Sequence, residues 1–226
     1  MVTSVHGAGH RASRCTRRQR PFLLCLVVVI VCLASACLTI LVFRSGASAT
    51  RSRAKPVVGE RAPDFALKDV QGREFRLSDR TGQTPVVIEF GSYTCPYCIA
   101  TLEPMKSLAR KYNGKVEFVI VYCKEAHPGM KMKSMTGHGD LPVLEQTNSF
   151  QERVERAARF GREMKIPQRI LVDEDGENSI QEMYSDLPNQ TIVVDVNGVV
   201  RSMGSTDPRN LDLLLRESLS QAARDQ

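Results

Sequence analysis

The sequence predicts an α/β fold, a central mixed β-sheet flanked by helices, with a β-hairpin extension ahead of it and one apolar helix at the N-terminus. Three observations carry this. A run of β-formers, Pro85–Phe90, breaks at Gly91 and passes through Ser92-Tyr93-Thr94 into Cys95-Pro96-Tyr97-Cys98, which opens a helical pattern. Val116–Tyr122 is a near-continuous apolar run, as expected of a strand covered on both faces. Strands separated by helices imply parallel crossovers, and a closing strand pair around Asn197-Gly198 implies an antiparallel edge.

Taken in order, the chain of 226 residues begins with a basic tail, 1–20. Residues 21–43 are uncharged, rich in Leu, Val and Ile, and long enough to cross about 30 Å of hydrocarbon, so they predict a single transmembrane anchor. A cleaved signal or a lipoprotein-type site at Ala34-Ser35-Ala36-Cys37 is the competing reading, but the apolar run continues through Leu38–Phe43. Arg11, Arg14, Arg17, Arg18 and Arg20 precede the segment, while Arg44, Arg51, Arg53 and Lys55 follow it. That slight bias puts the N-terminus in the cytoplasm and the remainder outside it. Residues 44–56 are small and polar, a flexible linker to the domain at 57–226.

Splitting the charge removes a nucleic-acid reading. Residues 1–55 hold nine of the 31 Lys and Arg and no acid, leaving 22 bases against 25 acids in the rest. The basic arms are suited to anionic lipid headgroups instead.

Within the domain, Ala66–Asp69 and Glu74–Leu77 alternate about a turn at Gly72 and predict a hairpin. The helix opened by Cys95 runs to about Tyr112, with Pro104 expected to kink it and Asn113-Gly114 to end it. Residues 129–146 have no clear period and read as a loop. Phe150–Lys165 is a charged amphipathic helix whose charges read as a solvated face. A strand at 169–172, a helix near 179–184, strands at 191–196 and 199–203, and a helix from Arg209 capped by Asp207 complete the chain.

A Cys-x-x-Cys at a helix start after a strand is the pattern of a thioredoxin-like redox site. The helix N-terminus offers unpaired N–H groups and partial positive charge to a thiolate, which makes Cys95 the nucleophile. Pro96 suits the first helical position, where its missing N–H costs nothing. Cys98, one turn on, is placed to resolve a mixed disulfide. Glu89, in an apolar strand, is either a carboxylate with a raised pKa that takes the proton of Cys98, or a solvent-facing residue if the strand has a wet face. Glu125 and His127 follow a central strand end near the cysteines, where ligands of such sheets collect. Pro188, ahead of a late strand, stands where a cis-proline would face the active cysteine. Cys95, Cys98, Cys123 and His127 also have spacings that four zinc ligands would tolerate, which leaves a zinc-stabilised interaction domain as the non-enzymatic alternative. The redox reading needs no metal or other cofactor.

Three stretches together resemble the iodothyronine deiodinase family over about residues 58–220. They are Phe90-Gly91-Ser92-x-Thr94-Cys95-Pro96, Val121-Tyr122-x-x-Glu125-Ala126-His127-Pro128, and Tyr184-x-x-Leu187-Pro188 before an Ile-Val-Val strand. The resemblance implies a membrane-anchored redox domain in which Ser92, Thr94, Glu125 and His127 line the site and Cys95 stands where the family usually has selenocysteine. Two departures stand out: Cys98 supplies a resolving thiol that deiodinases usually lack, and the Asp-Gly-Trp that usually follows the Glu-Ala-His element is absent from a chain with no Trp. The reading is therefore an oxidoreductase working through a Cys95/Cys98 couple on a small-molecule or protein thiol/disulfide substrate with a thiol reductant. Its enzymatic alternative is reductive deiodination of iodothyronine or another halogenated phenol, with Cys95 as halogen acceptor.

Overall fold

Six consecutive residues, Val86–Gly91, are all buried and form β3, the middle strand of a five-stranded sheet. The computed structural model describes residues 55–136, 139–176, 179–185, 189–205 and 207–224. The basic tail, the 21–43 segment and nearly all of the linker lie outside them. Among the described residues no helix is long and apolar enough to cross a membrane.

A short hairpin comes first, β1 (Ala66–Lys68) against β2 (Glu74–Arg76), followed by a 3-10 turn at Ser78–Arg80. After β3 come α1 (Pro96–Lys111), β4 (Glu117–Tyr122), α2 (Phe150–Glu163), β5 (Arg169–Val172) and α3 (Ile180–Tyr184). The chain closes with β6 (Gln190–Val194), β7 (Val200–Ser205) and α4 (Pro208–Arg224). The sheet order is β5-β4-β3-β6-β7, parallel across β5, β4 and β3 and antiparallel from β3 through β6 to β7. Helix α1 runs through Pro104, and Asp207 caps α4 by accepting from the Arg209 N–H at 2.9 Å.

The period-2 alternation of β3 decides what its side chains meet. Val86, Ile88 and Phe90 join Val119, Val121, Leu171 and Ile192 on one face, covered by Phe65 and Phe75 of the hairpin region and by Ile180 and Tyr184 of α3. Val87 points the other way, with Met105 and Leu108 of α1 and Leu211 and Leu215 of α4. Ile120 and Tyr122 of β4 extend that second face toward α2, against Ala157 and Phe160. Each such fully buried apolar side chain is worth about 1.5–3 kcal/mol over its exposed state. Both faces of β3 are thus covered, and Glu89 is buried rather than on a solvent-exposed face.

The hairpin is pinned by a single carboxylate. Asp69, 1% exposed, accepts from the N–H groups of Gln71 and Arg73 at 2.9 Å and from the guanidinium groups of Arg73 and Arg169 at 2.9 Å. Arg169, at the start of β5, also donates to the Arg73 and Glu74 carbonyls at 3.0 Å.

The charged face of α2 departs from expectation. Arg153 is 2% exposed and donates to the Asp173 carbonyl at 2.9 Å and to the Asp175 carboxylate at 2.8 and 3.0 Å. Arg156 turns toward the β4–α2 loop. Helical periodicity shows which residues share a face, but not that a loop of 27 intervening residues returns to cover it.

Candidate active site

Cys95 is the N-cap of α1, in extended conformation, with Pro96 in the first turn. The Ile99 N–H donates to its carbonyl at 3.1 Å, so the helix and Cys95 share one backbone frame. Cys98 is one turn along on the buried side, its Sγ directed at the Phe90 carbonyl 3.7 Å away. Gly91 makes this depth possible. A Cβ there would lie 3.2 Å from Cys98 Sγ and 3.4 Å from its Cβ, tighter than ordinary contact.

The two thiols are unequal. A hydrogen bond from the Cys98 side chain holds the Cys95 thiol down to about 7, against burial and with help from the backbone N–H groups of Cys98 and Tyr97. The charge of Glu125 opposes this lowering. The same bond pushes the Cys98 thiol well up, joined by burial and by the charges of Cys95 and Glu89. Glu89 lies on the α1 side of β3, 5% exposed and accepting from Thr101 Oγ1 at 3.2 Å. Burial pushes its carboxyl up to about 7, the Thr101 hydrogen bond partly offsetting the rise. Around it lies a cavity of about 270 Å³, bordered by Tyr97, Cys98, Thr101, Asn189 and Ser205. A larger hollow of about 610 Å³ sits at the other end of the sheet, against Asn113, Glu117 and Gln168, remote from the thiols.

The loop after β3 and the loop after β4 are stitched together by their polar side chains. Ser92 Oγ accepts from the Ala126 N–H at 3.1 Å, and Thr94 Oγ1 accepts from the His127 N–H at 3.2 Å. In return, Thr94 donates to Glu125 Oε2 from its N–H at 3.1 Å and from its hydroxyl at 2.8 Å. The other oxygen of Glu125 accepts from the Tyr122 hydroxyl at 2.5 Å and lies 3.5 Å from Arg156. Gln146 holds the Glu125 backbone from both sides, accepting its N–H at 3.0 Å and donating to its carbonyl at 2.7 Å. A carboxylate only 4% exposed is tolerable because both oxygens are satisfied. Its job on this geometry is to fix the backbone that carries Cys95.

The structure therefore brings together Glu89, Ser92, Thr94, Cys95, Cys98, Glu125 and His127. His127 is half-buried and is tied to Thr94 through its backbone N–H. Pro188 lies outside the described residues. Sequence reasoning missed Tyr122, Gln146, Arg156 and Thr101. Tyr122 carried a signal, since it ends the buried strand with a hydroxyl that must find a partner. Cys123 does not join the site: it sits 1% exposed in the core on the opposite face of the sheet, its thiol pushed up by burial. Among the described residues no group of three or more His, Cys, Asp or Glu is placed to hold a metal ion, so the four-ligand zinc set does not assemble.

A mixed sheet of this order, with a Cys-x-x-Cys at the α1 N-terminus and an acid beneath it, defines a thioredoxin-like protein. Solved structures agree on the fold. A Bacteroides thetaiotaomicron protein assigned as a disulfide isomerase superposes with TM-score 0.53 at 16% identity, over 75% of this chain and 94% of its own. A Chlorobium tepidum protein assigned as the thiol:disulfide interchange protein DsbE gives 0.52 at 21% identity, over 73% and 99%. The chain belongs to the iodothyronine deiodinase family, whose sequence model matches residues 22–220. Thyroxine 5-deiodinase of Homo sapiens is 29% identical over 146 residues, covering 64% of this chain and 46% of that one. Type I iodothyronine deiodinase of Xenopus laevis is 25% identical over 144 residues, covering 63% and 55%. The matched region thus spans about half the length of these relatives.

Proposed function

We propose that this protein is a membrane-anchored, thiol-dependent oxidoreductase of the deiodinase family that works through a Cys95/Cys98 couple. One observation carries the reading: two hydrogen-bonded thiols of opposite tuning stand at a helix start above a buried acid with a raised pKa. Cys95, as thiolate, attacks a disulfide R–S–S–R′, forming Cys95–S–S–R and releasing R′S⁻. Cys98 then gives its proton to Glu89 and attacks Cys95 Sγ, closing the Cys95–Cys98 disulfide and releasing RS⁻. An external thiol reductant resets the pair. Glu125, Thr94, Ser92 and His127 position the loop that carries Cys95, and anionic lipid is the partner of the basic flanks.

The test is trapping in the full chain held in detergent. Cys98→Ser should accumulate a mixed disulfide at Cys95 that wild type does not, and Cys95→Ser should form none. If wild type exchanges no thiols and Cys98→Ser traps nothing, the couple is not catalytic.

Membership of the deiodinase family favours one second reading. An iodinated phenol Ar–I would give Ar–H and Cys95–S–I on attack by the Cys95 thiolate with uptake of one proton. Cys98 would then displace iodide, closing the disulfide and releasing a proton. Iodide release from an iodinated phenol, lost in Cys95→Ser, supports this reading. Disulfide exchange without iodide release leaves the first.

A further inference from the structure

The resolving step leaves Glu89 holding a proton beneath Cys98, and two features of its surroundings bear on where that proton goes. Thr101 sits one turn beyond Tyr97 on α1, and its single hydroxyl has three neighbours in hydrogen-bond range. These are Glu89 Oε1 at 3.2 Å, the Tyr97 carbonyl at 3.2 Å and the Cys98 carbonyl at 3.1 Å. One O–H can donate fully to only one of them. With Glu89 ionised, the charged acceptor wins, because a hydrogen bond to a charged group is about twice as strong. With Glu89 protonated, its own O–H can donate to Thr101 Oγ1, and the threonine proton turns to the helix carbonyls. Both protonation states are therefore satisfied without moving the backbone. A helical threonine ordinarily bonds back to its own helix; here the same hydroxyl also faces a buried acid on the neighbouring strand.

The second feature is the cavity of about 270 Å³, roomy enough for several waters at about 30 Å³ each, that touches both Glu89 and Thr101 and reaches the half-exposed Tyr97 ring. The groups facing Glu89 are few. From α1 come Cys95, Cys98, Tyr97 and Thr101, and across the sheet its register partners are Ile120 of β4 and Thr191 of β6. Asn189 and Ser205 complete the wall. Among the described residues, the ionisable groups facing it are the two reactive thiols and the Tyr97 phenol.

We propose that Thr101 is a positioning residue for the thiol chemistry: its hydroxyl aims Glu89 as the proton acceptor for Cys98, turns to the helix carbonyls once Glu89 is protonated, and the cavity beside it passes that proton to solvent. This rests on the Cys95/Cys98 reading above. The balance is one proton: Cys98–SH and Glu89 carboxylate become the disulfide and Glu89 carboxylic acid, and the acid then returns its proton to water.

Two measurements on the full chain in detergent decide it. The first follows the protonated-carboxyl infrared band against pH, assigned to Glu89 by its loss in Glu89→Gln. Wild type should titrate near neutrality, Thr101→Val roughly one pH unit higher, and Thr101→Ser with wild type. The second loads Cys95 with glutathione from oxidised glutathione and times its release as Cys98 attacks. At pH 6 Thr101→Val should be about tenfold slower, converging on wild type above the raised midpoint. An unchanged midpoint in Thr101→Val overturns the proposal. So does a wild-type Glu89 band that titrates with ordinary carboxylates, an outcome that needs no variant at Thr101 to fold. If wild type never takes up glutathione at Cys95, the redox reading fails, and the infrared titration still judges the hold of Thr101 on Glu89.

Discussion

Cys95 and Cys98 differ by three positions, yet their environments drive them in opposite directions. The helix start and the hydrogen bond from Cys98 favour a thiolate at Cys95, while burial and two neighbouring negative charges keep Cys98 protonated. A thiol poised near ambient pH is the best compromise between thiolate fraction and nucleophilicity. The rate of Cys95 alkylation by iodoacetamide should therefore rise with pH and level off with a midpoint near 7. Because Glu125 pushes that thiol upward, Glu125→Gln should move the midpoint to lower pH in whatever fraction folds. A midpoint at the ordinary thiol value in wild type would remove the asymmetry on which the mechanism depends. At this scale Glu89 was half legible: a carboxylate in an apolar strand six residues before Cys95 could be buried or solvent-facing, and only the packing of both faces of β3 decides for burial. Thr101 was not, since nothing in its neighbours in sequence shows that β3 runs beneath it.

Among the elements, the strand–loop–helix unit of β3 and α1 was readable because every residue it needs is contiguous, down to the glycine that admits Cys98. The network that holds Glu125 was only half readable. Its acceptor and its Thr94 donor lie 31 positions apart, and Arg156 comes from a helix whose polar stripe looks solvated when taken alone. The hairpin was predicted from its alternation and turn, but its attachment to β5 through Asp69 and Arg169 spans 100 positions. That attachment should be costly to lose. Asp69→Asn keeps the shape but removes the charge from two guanidinium groups and should cost roughly 1–3 kcal/mol at neutral pH. Although burial raises the Asp69 carboxyl, the backbone donors and the two arginines outweigh it and leave its pKa lowered. A lowered native pKa gives stability that is present above the unfolded value and lost as pH falls through the folded one. Urea titrations of wild type and Asp69→Asn should therefore converge as the pH drops below the ordinary carboxyl range. A gap that stays constant into strong acid would show that shape, not charge, is what matters.

For the whole molecule, the basic excess lies in residues 1–55, ahead of the domain, and the 23 uncharged residues at 21–43 carry the expectation of an anchor. Full-length chain expressed in membranes should resist extraction by alkaline carbonate. With the N-terminus cytoplasmic, protease added to the cytoplasmic side should spare the redox domain. Removal of the protein by carbonate would sink the anchor, and digestion of the domain would reverse its direction. Family membership follows from 22–220 as a unit. Cys98, by contrast, is a single residue, and the proposed Cys95/Cys98 couple stands or falls with it.

Cys123 has so far figured only as a residue that does not belong to the site. It is packed 1% exposed among Phe90, Val121 and Tyr184 with its thiol pushed well up, so reagents cannot reach it while the sheet is intact. Its labelling waits on an opening of the core, and opening free energies in such a core approach the global stability. The domain thus contains its own clock for unfolding. In a Cys98→Ser background, a maleimide should add first to Cys95, which is only 2% exposed but sits at a helix start beside loops that can open locally, and to Cys123 only as fast as the sheet core gives way. A single mass spectrum over time would then report chemistry and stability as two separate rates.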